Sequence, residues 1–202
     1  MKSNAVKIIL CTFFFMGGII FARAMQMDYV SFTPSVGAFS LSGEGLVATI
    51  CVDTVDYKGV RLAARNLSKD IGKVTGMTAD VSLSLPSERG VVVAGTIGRN
   101  KQIDEWAKQG KLDVSAIEGK WESYLIQTVD GNLVIAGSDK RGTIFGIYDL
   151  SEKIGVSPWH YFADVPAQRH AALYVKPGRY VQDSPKVKYR GIFLNDEWPS
   201  LG

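Results

Sequence analysis

"ESYLIQTVDGNLVIAGSDKRGTIFGIYDLSEKIG", residues 122–155, carries the signals that decide the fold. Two apolar runs flank Asp130-Gly131. That dipeptide favours a tight turn with positive backbone angles, so the spacing predicts a β-hairpin. A glycine-bearing loop follows, and Ser138 or Asp139 offers a capping side chain for a helix to Ile154, closed by Gly155. Within that helix Gly142 and Gly146 stand four apart. Residues at this spacing share a face, and two glycines there let a helix lie close against a sheet.

Outward from this unit the pattern alternates. Residues 39–43 and 47–52 read as short strands around the turn-forming cluster "SGEG". Over residues 57–75 the apolar positions Val60, Ala63, Ala64, Leu67, Ile71 and Val74 fall on one helical face, and Gly76 supplies the stop. Arg61, Arg65, Lys69 and Lys73 repeat on another face, which reads as solvated rather than as a polyanion grip. Residues 79–85 alternate as a half-exposed strand, and "GVVVA" at 90–94 reads as a strand covered on both sides. Residues 97–108 predict a helix carrying Ile103 and Trp106; 171–175 and 180–182 are weaker strands around Pro177-Gly178; 188–194 is the last strand. Helices alternating with hairpin-linked and crossover-linked strands predict an α/β class fold, an α+β sandwich with helices on a mostly antiparallel or mixed sheet.

The ends of the chain add their own bounds. Residues 1–24 combine Lys2 and Lys7, an apolar run over 8–21, and Ala22-Arg23-Ala24 as a cleavage site. This is the pattern of a secretory signal peptide, and the run is shorter than the ~20 apolar residues of a spanning helix. The expectation is a secreted or periplasmic protein with no membrane attachment after cleavage. Removing the segment removes three basic residues and no acid, so the formal charge of +3 belongs to it. No field then remains to favour nucleic acid. Of the two cysteines, Cys51 alone remains, too few for an internal disulfide and read as a small buried hydrophobe.

Chemical motifs are sparse. Neither G-x-x-x-x-G-K-[ST] nor G-x-G-x-x-G occurs, so the helix start at Lys140 and Arg141 is no nucleotide loop, although both cations could face a sugar acid. His160 and His170 lack metal-site spacing, and no G-x-S-x-G elbow appears. No metal and no cofactor is expected. "SPWHYFADVP", residues 157–166, gathers Trp159, His160, Tyr161 and Phe162. Such a cluster stacks on a sugar or wedges domains together, and packing is the favoured reading because large aromatics mostly serve burial. Asn195-Asp196-Glu197 puts two carboxylates in sequence, but successive strand side chains point to opposite faces. They do not suit a glycosidase acid–base pair across one bond. They suit polar groups at the carboxyl end of a barrel strand, where (β/α)8 enzymes gather their sites.

"GSDKRGTIFGIYDLSEKIGVSPWHYFADVP" at 137–166 and "VKYRGIFLNDEWP" at 187–199 closely resemble the N-terminal part of glycoside hydrolase family 115, α-glucuronidases acting on glucuronoxylan. The resemblance spans roughly residues 39–202. It implies an α/β accessory domain over 25–182, then a linker and the first strand of a truncated (β/α)8 catalytic barrel over 183–202. It also implies release of α-1,2-linked glucuronic acid or its 4-O-methyl form with inversion. The substrate-binding set it suggests is Asn195, Asp196, Glu197, Lys140 and Arg141. No catalytic residue is identifiable in the chain: the principal acid and base are expected beyond Gly202, and the chain alone is expected to be inactive. Glucuronoxylan or its oligosaccharides would be the partner, and a homo-oligomer stays open. Two other readings stand beside it: a non-catalytic carbohydrate-binding or interaction module, and the accessory domain of a hexosaminidase-like glycosidase.

Overall fold

The computed structural model describes residues 28–84, 89–160 and 162–191. The signal-like segment 1–24, the cluster Asn195-Asp196-Glu197 and the final residue Gly202 lie outside the described residues.

Ten strands and three helices are described. The strands are β1 (Val30–Ser31), β2 (Phe39–Gly43), β3 (Leu46–Val47), β4 (Ile50–Cys51), β5 (Val81–Ser82), β6 (Val92–Thr96), β7 (Tyr124–Val129), β8 (Asn132–Gly137), β9 (Leu173–Val175) and β10 (Arg179–Gln182). The helices are α1 (Lys58–Thr75), α2 (Lys101–Lys108) and α3 (Lys140–Lys153). A six-stranded mixed sheet has the order β10-β7-β8-β6-β4-β5. β8, β6, β4 and β5 run parallel, while β7 and β10 are antiparallel to their neighbours. The fold is α/β with a mixed sheet, as the alternation predicts.

The β7–β8 hairpin closes with Val129 opposite Asn132. Asp130 and Gly131 take φ of 50° and 81°, the paired positive angles of the tight turn expected there. α3 lies so close to the sheet that a Cβ on Gly142 would stand 2.2 Å from the Ser123 carbonyl oxygen. One on Gly146 would stand 2.9 Å from Ile135. α1 buries every apolar residue of its predicted face. Its cap, Gly76, takes φ 84° and donates its N–H to the Gly72 carbonyl at 2.9 Å.

Alternation along the central strands divides the core. Ile50, Val92, Ala94, Ile126, Leu133 and Ile135 face α1 and α3. Cys51, Val93, Leu125, Val134 and Ala136 face Ile103 and Trp106 of α2 and the loop residues Leu112 and Ile117. Burial raises the Cys51 thiol to about 11, which fits its reading as a packing residue.

Two expectations change. Residues 47–52 are not one strand: β3 pairs with β2 in a four-stranded sheet of order β1-β9-β2-β3, and β4 sits inside the larger sheet. The chain crosses between sheets at Ala48 and Thr49, whose backbone groups bond Leu41 and Val92 on different sheets. Period-two alternation continues through such a crossing, so the sequence does not reveal it. The strands expected around Pro177-Gly178 are present and lie in different sheets: β9 joins the small sheet and β10 edges the large one. Finally, of the strand expected over 188–194, residues 188–191 carry no strand assignment, and 192–194 lie outside the described residues. A strand is defined by ladder partners, and these residues have none among the described residues.

Candidate functional site

The carboxyl ends of the parallel strands bring together the residues that precede α1, α2 and α3. After β4, Asp56 is 3% exposed. Its carboxylate accepts the Thr96 N–H at 2.8 Å, the Thr96 hydroxyl at 3.0 Å and the Tyr57 N–H at 2.7 Å. Burial pushes its carboxyl up, and these hydrogen bonds oppose the shift. Thr96 also bonds Thr143 of α3 at 2.8 Å, so Asp56 ties α1, β6 and α3 together. At the exposed rim, Arg99 lies 4.2 Å and Lys140 5.9 Å from the Tyr57 ring centre.

The start of α3 is occupied by the protein itself. Asp139 caps the helix, accepting the Gly142 N–H at 2.7 Å through one oxygen and the Glu122 N–H at 2.9 Å through the other. The amides that would attract an anion already hold a carboxylate. Lys140 points to Tyr57, whereas Arg141 pairs with Glu122, its Nε 2.9 Å from Oε1. Arg190 pairs with the other Glu122 oxygen. Glu122 is 6% exposed and holds a left-handed φ of 53°. One buried carboxylate therefore joins the loop before β7, the first turn of α3 and the segment leaving β10. That segment is fastened at further points: Asp183 pairs with Lys120 at 2.9 Å, and Ser184 donates to the Trp121 carbonyl at 2.8 Å. The Arg190 guanidinium also lies 5.8 Å from the Trp121 ring and 6.0 Å from Phe145.

Glu122 is the residue that sequence reasoning missed. Its second arginine is 68 residues away, so no local spacing announces the clamp. Of the expected substrate-binding set, Lys140 and Arg141 share the first turn of α3 but engage different partners. Asn195, Asp196 and Glu197 lie outside the described residues, and so does Gly202, the point beyond which the acid and base are expected. Trp159 and Phe162 pack edge to face at 6.4 Å and are 59% and 80% exposed among the described residues. A tight turn after α3, with the His160 N–H bonded to the Ser157 carbonyl, carries them outward. His160 Nδ1 meets the Val165 carbonyl oxygen at 2.7 Å, and His170 stacks on Phe32 at 3.4 Å. Tyr161 lies outside the described residues.

No family model matches the chain, and no curated protein matches it. Solved structures do. A family 115 glycoside hydrolase, a 4-O-methyl-α-glucuronidase with specificity for decorated arabinogalactans, superposes with a TM-score of 0.65 at 34% identity over 79% of this chain. The chain is related to glycoside hydrolase family 115. It spans 20% of that protein's length. The family 20 β-N-acetylhexosaminidase of Streptomyces coelicolor A3(2) gives a TM-score of 0.45 at 14% identity, over 76% of this chain and 25% of that one. The family 20 exo-β-N-acetylglucosaminidase of Vibrio harveyi gives 0.43 at 13% identity, over 81% and 19%. The family 115 match agrees with the resemblance carried by residues 137–166.

Proposed function

We propose that the chain is the accessory domain of an exported family 115 glycoside hydrolase. That enzyme removes α-1,2-linked glucuronic acid, or its 4-O-methyl form, from a plant polysaccharide with inversion. The observation that carries the reading is the 34% identity across 79% of the chain to a 4-O-methyl-α-glucuronidase. Asn195 and Asp196 contribute hydroxyl-binding groups to the sugar pocket, with Glu197 beside them. The acid and base belong to a catalytic domain beyond Gly202, and the 202-residue chain alone is inactive. Family resemblance favours glucuronoxylan as the substrate. The specificity of the related enzyme favours a second reading, a decorated arabinogalactan.

Both polysaccharides, offered to the 202-residue chain and to a longer gene product containing it, test the proposal by chromatography of released acids. Release by the longer product, with an anomeric configuration opposite to that of the substrate by early-time NMR, is the expected result. Release of neutral N-acetylhexosamine instead, or of uronic acid by the short chain, overturns it. Intact mass of the exported protein, starting at Met25, checks the signal cleavage.

A further inference from the structure

Four consecutive residues of the loop before β7 hold the segment that leaves β10. Lys120 pairs with Asp183 at 2.9 Å, and the Trp121 carbonyl accepts the Ser184 hydroxyl at 2.8 Å. Glu122 takes Arg190, and the Ser123 hydroxyl lies 3.2 Å from that of Ser184. The loop is itself mounted on the start of α3. The Glu122 N–H donates to Asp139 at 2.9 Å, the Ser123 N–H to the Ser138 hydroxyl at 3.0 Å, and the Ser138 N–H to the Ser123 carbonyl at 2.9 Å. Arg190 closes the arrangement by donating to the Val187 carbonyl and lying against the Trp121 ring.

These contacts are unequal. Lys120 and Asp183 are exposed, and a pair of that kind contributes little. Glu122 differs, because it is buried and each of its oxygens holds an arginine. Taking a carboxylate out of water costs about as much as the pairing returns, so a buried ion pair adds little net stability over apolar packing. What an arginine on each oxygen does supply is direction, since guanidinium N–H groups point out in a fixed plane. A second observation agrees. Glu122 holds φ at 53°, which costs a non-glycine residue about 1 kcal/mol. Such strain persists where the surroundings over-determine it, and it gathers at functional sites.

Position in the chain says what this direction serves. Arg190 stands five residues before Asn195 and six before Asp196. Five residues reach at most about 18 Å, so only a short stretch separates the clamp from the groups assigned above to the sugar pocket. A joint that merely linked two domains would be left free to flex, whereas this one is fastened as far as Arg190. We propose that Glu122 is a positioning residue for the glycosidase reaction: through Arg190 it sets how the segment bearing Asn195 and Asp196 enters the sugar pocket. With both oxygens engaged, Glu122 acts through Arg190 and does not itself touch the sugar. The proposal rests on the functional reading above, which supplies the pocket and its two sugar-binding groups.

The test uses the longer gene product containing this chain, with release of uronic acid followed across a range of polysaccharide concentrations. In Glu122→Gln, KM should rise about tenfold while kcat changes by less than about twofold, because the displaced groups bind the sugar rather than break its bond. Arg190→Gln alters a side chain that is 34% exposed and should give the same split. The double variant should be no worse than either single one, since both substitutions break one contact. A merely structural role lowers the amount of active enzyme, and so lowers apparent kcat at an unmoved KM; that result overturns the proposal, as does additivity of the two substitutions. If Glu122→Gln fails to fold, Arg190→Gln decides by the same split. No acid released by the parent overturns the functional reading and this proposal with it, whereas release by parent and variants at one KM overturns this proposal alone.

Discussion

Replacing Glu122 tests how the segment after β10 is held. The Glu122 carboxylate is 6% exposed, but its partners Arg141 and Arg190 have side chains 53% and 34% exposed. Removing one partner of a fully buried pair costs about 3–5 kcal/mol because a charge is stranded out of water. Here the stranded arginines can swing into solvent, so a Glu122→Ala variant should lose only about 1–2 kcal/mol of global stability. Locally the effect is larger, because Arg190 loses its only carboxylate partner among the described residues while Asp183 and Ser184 keep theirs. Trypsin should therefore cut at Lys186, Lys188 and Arg190 several times faster than in the parent, with cleavage elsewhere little changed. The left-handed φ of 53° supplies an internal control. Glu122→Gly loses the same ion pairs but relieves a strain of about 1 kcal/mol. It should thus be the more stable of the two variants in urea while showing the same fast cleavage. Equal cleavage in the alanine variant and the parent would refute the clamp; alanine more stable than glycine would refute the strain.

Other outcomes follow from the same geometry. Gly142→Ala would drive a Cβ to within 2.2 Å of the Ser123 carbonyl oxygen, a backbone atom, and should destabilise the domain by about 3 kcal/mol or prevent folding, read by urea denaturation. The hydrogen bond from Lys120, and next that from the Ser184 N–H, hold the Asp183 carboxyl below its usual range. A group lowered on folding stabilises above its unfolded value near ~3.9 and loses that contribution as pH falls through the folded value. Protection of the Ser184 amide, taken as exchange relative to its intrinsic rate at each pH, should accordingly fall below about pH 4 before that of the core does. Asp56 has the opposite sign, since burial raises it: its contribution is fullest below about pH 3.9 and declines as pH rises through the folded value. Asp56→Asn should flatten that decline in urea midpoints measured against pH. With the thiol raised to about 11, Cys51 should resist iodoacetamide at pH 8 in the native protein cleaved after Ala24, and react in urea.

The elements of this fold were legible wherever their cause is local. Asp130-Gly131 dictates its turn because those two residues adopt positive φ cheaply. Asp139 caps α3, and Gly76 ends α1, for reasons contained within a few bonds. Gly142 and Gly146 announced a close helix–sheet approach because their spacing is itself the helix period. The relationship to family 115 was likewise readable in residues 137–166, a long stretch in which those local causes lie side by side.

Other features arise from contacts between residues far apart in the chain. Whether residues 47–52 form one strand or two depends on which sheet holds each partner, a matter settled by β2 on one side and β6 on the other. Glu122 looks like any acid before a strand until α3 and the segment after β10 each bring an arginine to it. The sequence by itself determined the turns, caps and helical faces, because hydrogen bonding and side-chain periodicity act over a few residues. Only the tertiary structure decided the two-sheet division and the Glu122 clamp, because burial and charge pairing depend on distance in space, which chain separation does not encode.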